Sequence, residues 1–172
     1  NTTIDNNKGK SIGPSIGWIP MPWLSIYTNY LGGPEQAGIG SSNFRHLWDT
    51  QVFFGPFDRW NFALNYDIGW ENDALNTGTK NAGWNGLTGF ARYKVNDWFE
   101  PSLRVEYYKD GDGFTTGMDQ GLWGYTLTLN TKLGLGKSRG SMVLFRPEIR
   151  YDRSSDKFFT QGNGFRNQKD QF

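Results

Sequence analysis

The sequence predicts an all-β protein, an antiparallel transmembrane β-barrel, and three observations carry that expectation. Apolar side chains recur at every second residue along most of the chain, large aromatics dominate that apolar set, and short connections alternate with long ones. A two-residue beat is the period of a strand, whose successive side chains point to opposite faces, and it excludes amphipathic helix as the main element. Aromatic residues make up 17% of the 172 residues, with eight Trp, more than a compact core of this size could easily hold. They are expected to face lipid.

Taken in order, the strands read as follows. Residues 11–18 put Ile12, Pro14, Ile16 and Trp18 on one side, and Ser11, Gly13, Ser15 and Gly17 on the other. Residues 23–31 alternate least well, because Tyr27 and Tyr30 fall on opposite faces. Residues 44–54 set Phe44, His46, Trp48, Thr50, Val52 and Phe54 against Arg45, Leu47, Asp49, Gln51 and Phe53. The clearest beat is at 60–70, where Trp60, Phe62, Leu64, Tyr66, Ile68 and Trp70 alternate with Asn61, Ala63, Asn65, Asp67 and Gly69. Residues 85–95 place Leu87, Gly89, Ala91, Tyr93 and Val95 opposite Gly86, Thr88, Phe90, Arg92 and Lys94. In 98–110, Phe99, Pro101, Leu103, Val105 and Tyr107 oppose Glu100, Ser102, Arg104, Glu106, Tyr108 and Asp110. Residues 123–133 show Trp123, Tyr125, Leu127, Leu129, Thr131 and Leu133 against Gly124, Thr126, Thr128, Asn130 and Lys132. Residues 143–153 end the series with Val143, Phe145, Pro147, Ile149 and Tyr151 against Leu144, Arg146, Glu148, Arg150 and Asp152. Pro101 and Pro147 lack an N–H for the ladder, so each is expected to mark a bulge or break.

The links at 19–22, 55–59, 96–97 and 137–140 are short, whereas 32–43, 71–83, 111–120 and 153–169 are long and polar. Outer-membrane barrels show this asymmetry, with tight periplasmic turns and longer extracellular loops. About eight strands fit the rhythm. Both chain ends then lie outside the cell, so a single barrel domain over 1–172 is expected to lack strands at both ends, with residues 169–172 opening a further one.

Composition narrows the class. Hydrophobic content is 36% and mean hydropathy −0.66, and no run approaches the roughly 18 apolar residues of a spanning helix. A barrel escapes that requirement because only alternate residues meet lipid. A formal net charge of +1 shows no global bias toward nucleic acid or anionic lipid, so it implies no such partner. With no Cys, neither a disulfide framework nor a thiolate metal site exists. The first residues lack a basic start followed by an apolar stretch, so a mature form or internal piece is expected.

Several stretches resemble the outer-membrane β-barrel porin-2 family: Trp84-Asn-Gly-Leu-Thr-Gly-Phe-Ala-Arg-Tyr, Leu103-Arg-Val-Glu-Tyr-Tyr-Lys-Asp-Gly-Asp-Gly-Phe-Thr-Thr-Gly, Thr126-Leu-Thr-Leu and Arg146-Pro-Glu-Ile-Arg-Tyr-Asp-Arg-Ser-Ser. The resemblance implies an outer-membrane barrel, a porin, whose family members are longer than this chain. Against that family the chain is expected to lack the closing strand after Asp170-Gln-Phe and some of the early strands.

The chemistry lies on the other face, where ionisable groups stand two residues apart. Arg104 with Glu106, and Arg146 with Glu148, Arg150 and Asp152, would point inward on strands needing only one strand between them. Such interleaved signs can form cross-strand pairs worth a few tenths to about 1 kcal/mol each. Adding Arg45, Asp49, Asp67, Arg92, Lys94, Glu100 and Lys132 gives a candidate pore lining that is polar and mixed in sign. Such a lining either sets a transverse field across a pore or packs as the polar core of a closed barrel. Strand number decides between them, since about eight strands fill with side chains and about sixteen leave a channel.

On the oily face, Trp18, Trp48, Trp60, Trp70, Trp98 and Trp123, with Tyr66, Tyr93, Tyr107, Tyr125 and Tyr151, fall near strand ends and read as interfacial girdles. The sequence 110–113, Asp-Gly-Asp-Gly, lacks the remaining oxygen ligands of a calcium loop and reads as a turn. His46 stands alone among aromatics, no Gly-x-Ser-x-Gly elbow accompanies it, and Arg neighbours would hold Glu106 and Glu148 ionised. No enzyme and no cofactor is expected. The chain is expected to sit in bacterial outer-membrane lipid and to pass small hydrophilic solutes or ions, as a homo-oligomer or envelope-complex component where it associates. A non-conducting anchoring barrel and a soluble lectin-like domain are the alternatives.

Overall fold

The computed structural model describes residues 9–36, 43–75, 80–134, 142–160 and 166–172. In it the two-residue beat becomes one antiparallel meander. The strands are β1 (Ser15–Met21), β2 (Leu24–Pro34), β3 (Phe44–Phe57), β4 (Trp60–Leu75), β5 (Lys80–Tyr93), β6 (Phe99–Asp110) and β7 (Gln120–Gly134). They are followed by β8 (Met142–Phe145), β9 (Glu148–Ser154), β10 (Phe159–Thr160), β11 (Arg166–Gln168) and β12 (Asp170–Gln171). Sequential neighbours pair from β1 to β7. Both β8 and β9 pair with β7, and β12 lies outside β9. β10 and β11 form a separate two-stranded sheet. No described helix is long and apolar enough to cross a membrane.

Register keeps the two faces separate across the whole sheet, because a one-residue slip would move every side chain to the wrong side. One row runs Trp18, Ile26, Val52, Leu64, Gly89, Val105, Tyr125, Tyr151, each residue opposite the next. The adjacent row runs Tyr27, Gln51, Asn65, Thr88, Glu106, Gly124, Asp152. The first row is apolar and the second polar, as the alternation requires. Burial is inverted relative to a water-soluble domain. Among the described residues the buried apolar side chains are Ala82 and Phe159, while the largest fully buried ones are Gln120, Glu71, Thr126, Asp110 and Ser154. Ile16, Trp18, Trp60, Leu64, Leu87, Leu127 and Ile149 stay exposed on the apolar face. So extensive an exposed apolar surface needs a partner phase, and a lipid bilayer is the phase that covers a whole sheet face.

Aromatics bracket that face. Tyr107 packs on Trp123 at 4.7 Å, and His46 stacks on Trp70 at 4.7 Å, both toward the long-loop end. At the other end Trp60 packs on Tyr93 at 4.7 Å, and the Trp98 carbonyl accepts from Lys132 N at 2.8 Å. Leu127 lies about midway between the Trp123 and Trp98 levels. At about 3.4 Å per residue and a tilt near 40°, that is roughly 10 Å from the Trp123 level and roughly 13 Å from the Trp98 level, which fits the apolar band of a membrane barrel.

Several sequence expectations need correction at strand ends. The β4–β5 ladder continues through Glu71↔Ala82 to Leu75↔Lys80, so most of the expected loop at 71–83 is strand. β5 ends at Tyr93 instead of Val95, and the β5–β6 link is 94–98 instead of two residues. Asn96 closes it, its side-chain oxygen accepting from Trp98 N at 3.0 Å and Phe99 N at 2.9 Å. β3 runs on to Phe57 through a register shift after Phe54, leaving Asp58 and Arg59 as the link, with Asp58 at φ 54. The two prolines differ. Pro147 falls in the gap between β8 and β9, whereas Pro101 stays in register opposite Leu129 within an unbroken β6. The β5–β6 ladder begins only at Arg92↔Ser102, so the missing N–H of Pro101 falls where no β5 partner needs it. The expected link at 137–140 lies outside the described residues.

Candidate pore lining

The inward face carries its charges in distinct groups, each assembled by register. At the long-loop end, Arg45 on β3 lies opposite Glu71 on β4 and is ion-paired to it. Gln36 adds a hydrogen bond from Nε2 to Glu71 Oε1 at 3.0 Å. Glu71 is only 2% exposed, so this pair and amide replace the water its carboxylate loses. The guanidinium carbon of Arg45 also stands 5.6 Å over the Phe114 ring.

Asp49 and Asp67 are direct cross-strand partners. Like charges so placed repel, and no ion pair to either is formed among the described residues. Amides surround Asp49 instead. Gln51 Nε2 donates to Oδ1 at 3.1 Å and to Oδ2 at 3.2 Å, Asn65 Nδ2 to Oδ1 at 3.1 Å, and Asn29 Nδ2 to Oδ2 at 3.4 Å. The β3–β4 wall is therefore negative.

The wall formed by β6, β7 and β9 instead interleaves both signs. Arg150 donates to both Asp152 oxygens from Nε, at 2.9 and 3.0 Å, and its Nη1 bonds Glu106 across β7. Arg104 Nε lies 3.1 Å from the same Glu106 Oε2, but without hydrogen-bond alignment, so that contact is chiefly Coulombic. Its Nη2 donates to Thr126 Oγ1 at 3.2 Å. The bridge over β7 depends on Gly124, the residue between Glu106 and Asp152 in register. A Cβ there would come within 2.7 Å of Arg150 Nη2 and 3.2 Å of Glu106 Oε2.

At the short-link end, Glu100 on β6 takes Lys132 Nζ at 2.9 Å and stands 3.8 Å from Arg92 Nε. Lys94 sits in the 94–98 link, not on the strand wall where the alternation put it, and its ammonium is 2.7 Å from Asp97. Hydrogen bonding and charge from Lys94 hold the Asp97 carboxyl below its ordinary pKa. Glu148 accepts from Thr128 Oγ1 at 2.8 Å. Arg146 lies in the β8–β9 gap, exposed and with no ion-pair or hydrogen-bond partner among the described residues. It lines a hollow of about 500 Å³ with Phe53, Asn61, Phe90, Arg92 and Asn130.

Sequence reasoning passed over two anchors of this face. Glu71 falls in the expected loop at 71–83, although counting the two-residue beat past Trp70 places it on the polar face. Asp110 ends the polar series of 98–110 and opens a turn in sequence, yet its buried carboxylate organises the following loop. It accepts from the backbone N–H groups of Phe114 (3.0 Å), Thr115 (2.9 Å) and Thr116 (2.7 Å), and from both threonine hydroxyls at 2.8 and 2.9 Å. The anchored loop lays Phe114 on Trp84 at 5.6 Å, and Trp84 in turn lies over Gly69, where a Cβ would come within 2.2 Å of its ring. The segment 111–119 thus covers part of the polar face.

This arrangement presents fixed charges of both signs to a wet surface. Among the described residues, no group of three or more His, Asp or Glu is placed to hold a metal ion. A scan against protein families matches the family model "Putative beta-barrel porin-2, OmpL-like" over residues 1–172. Neither the curated proteins nor the solved structures contain a match to the chain.

Proposed function

Because the chain belongs to the beta-barrel porin-2, OmpL-like family, we propose that it forms an outer-membrane channel for passive diffusion of small hydrophilic solutes or ions. The observation that carries this reading is the two-faced register: an apolar face bracketed by aromatics, and an opposite face holding Arg45, Asp49, Asp67, Arg92, Glu100, Arg104, Glu106, Lys132, Glu148, Arg150 and Asp152. A polar solute would meet an acidic wall at Asp49 and Asp67, and a balanced wall at Arg104, Glu106, Arg150 and Asp152. The imbalance between the two gives a transverse field, which orders dipolar solutes and discriminates ions by sign.

Single-channel conductance of the purified protein in planar bilayers, with reversal potential under a salt gradient, tests the proposal. Stable conductance steps are the expected result. Insertion demonstrated by heat-modifiable mobility and protease protection, but with no conductance, would overturn it and leave the anchoring barrel as the reading.

A further inference from the structure

The membrane-facing side carries a charged site that pore lining does not use. At the long-loop end, a hollow of about 380 Å³ opens on the outward face of β6, β7 and β9, lined by Tyr107, Lys109, Trp123, Tyr125, Arg153 and Lys169. Three cations and three aromatic rings share its lining. The register sets the arrangement: Lys109 is opposite Gly121, and Arg153 is opposite Trp123 on one flank and Asp170 on the other, all on the side that holds Leu127 and Ile149 nearer the midplane.

The cations are incompletely neutralised. Lys109 pairs with Asp119, and Arg153 Nε is 3.7 Å from Asp170 Oδ1, beyond hydrogen-bond range. Asp170 is also engaged by the Tyr151 hydroxyl at 2.7 Å. Among the described residues Lys169 has no carboxylate partner; its ammonium donates to the Ser155 carbonyl at 2.7 Å. Neither acid lines the hollow. Charges that face lipid at the end of a barrel strand sit at headgroup depth, where phosphate is the abundant counter-charge and each nearby Lys or Arg adds to attraction. The aromatic floor suits the glycerol or sugar and first methylenes beneath such a phosphate.

We propose that this hollow is a binding site for the phosphorylated headgroup of an outer-leaflet lipid, with the phosphate between Lys109, Arg153 and Lys169 and an acyl chain running down past Tyr125 and Leu127. The assignment to the outer leaflet rests on the porin reading, in which long loops are external. The lipid chain distinguishes this occupant from free phosphate: a lipid should gain from the ring floor, whereas inorganic phosphate has only the cations.

The test uses the full chain in phosphatidylcholine nanodiscs doped with phosphatidic acid or with uncharged diacylglycerol, and native mass spectrometry of the lipids retained on release. Expected is selective retention of phosphatidic acid, about tenfold weaker in the K109Q/R153Q/K169Q variant, with inorganic phosphate failing to compete. Equal retention of both lipids, or of phosphatidic acid by variant and parent, would overturn the site, as would full competition by inorganic phosphate. The variant must retain the parent's heat-modifiable mobility; if it does not, the single changes K169Q and R153Q supply the comparison. Conductance recorded on the same preparations separates the two proposals. Channel steps without lipid preference would sink the lipid site alone, and lipid preference without steps would sink the pore alone.

Discussion

Adjacent residues on β7 should differ sharply in their tolerance of charge. Leu127 is 43% exposed on the apolar face, opposite Leu103 and Ile149, and lies about midway between the aromatic girdles. Thr128 is one step along the same strand, on the polar face, opposite Ser102 and Glu148. Leu127→Arg places a guanidinium near the bilayer midplane, which costs about 2–4 kcal/mol in membrane barrels, or a fall of about 30- to 700-fold in the folding equilibrium. Thr128→Arg puts the same group beside Glu148, so the cost should stay under about 1 kcal/mol. The assay is urea-dependent folding into phosphatidylcholine vesicles at equilibrium, followed by tryptophan emission and heat-modifiable mobility. Leu133→Arg, nearer the short-link rim, should fall below Leu127→Arg because the penalty declines toward the interface. Equal penalties at 127 and 128, or a negligible one at 127, would refute the assignment of the oily face to lipid.

The remaining predictions concern the inward face. Gly124→Leu should break the Arg150 bridge to Glu106, since even a Cβ meets Arg150 Nη2 at 2.7 Å; a loss of about 1–3 kcal/mol is expected in the same folding assay, against little change for Gly134→Leu, whose Cβ meets nothing within 4 Å. Arg146→Glu should shift reversal potential toward cations with stability within about 0.5 kcal/mol of the parent, because Arg146 is exposed and unpaired. Arg150→Glu should instead lose stability, as a third carboxylate would join Glu106 and Asp152; a selectivity shift with unchanged stability would contradict the bridge. Asp110→Ala removes the acceptor for three backbone N–H groups and two hydroxyls, so amide hydrogen exchange over 111–119 should speed up by about tenfold or more. Unaltered exchange there would mean that the loop is held by Phe114 and Trp84 alone.

Some of this was legible because a strand's period is local. The clean alternation at 60–70 identified the β4 faces without knowledge of any neighbour, and the same holds for the placement of Arg104, Glu106, Arg150 and Asp152 on one polar face. One strand between the first pair and the second also follows from chain order in a meander, and β7 is that strand. Strand ends were read less well. At 71–75 and 80–83 apolar and polar residues no longer alternate, and it is pairing with the neighbouring strand that extends β4 and β5. Pro101 and Pro147 look alike in sequence and differ in outcome, because the effect of a missing N–H depends on whether a partner strand reaches that level.

By itself, then, the sequence determined the strand class, the two-faced pattern, the lipid-facing aromatics and the family resemblance, since each depends on residue identity at fixed spacing. Tertiary structure alone decided the partners. Gly124 matters only because Glu106 and Arg150 stand on either side of it, Asp110 because the loop turns its N–H groups back onto one carboxylate, and Lys169 because β12 pairs beside β9 and brings it near Lys109. Hydrogen bonds and ion pairs require specific atoms within about 3 Å, and residues tens of positions apart in the chain reach that distance only through strand pairing and loop return.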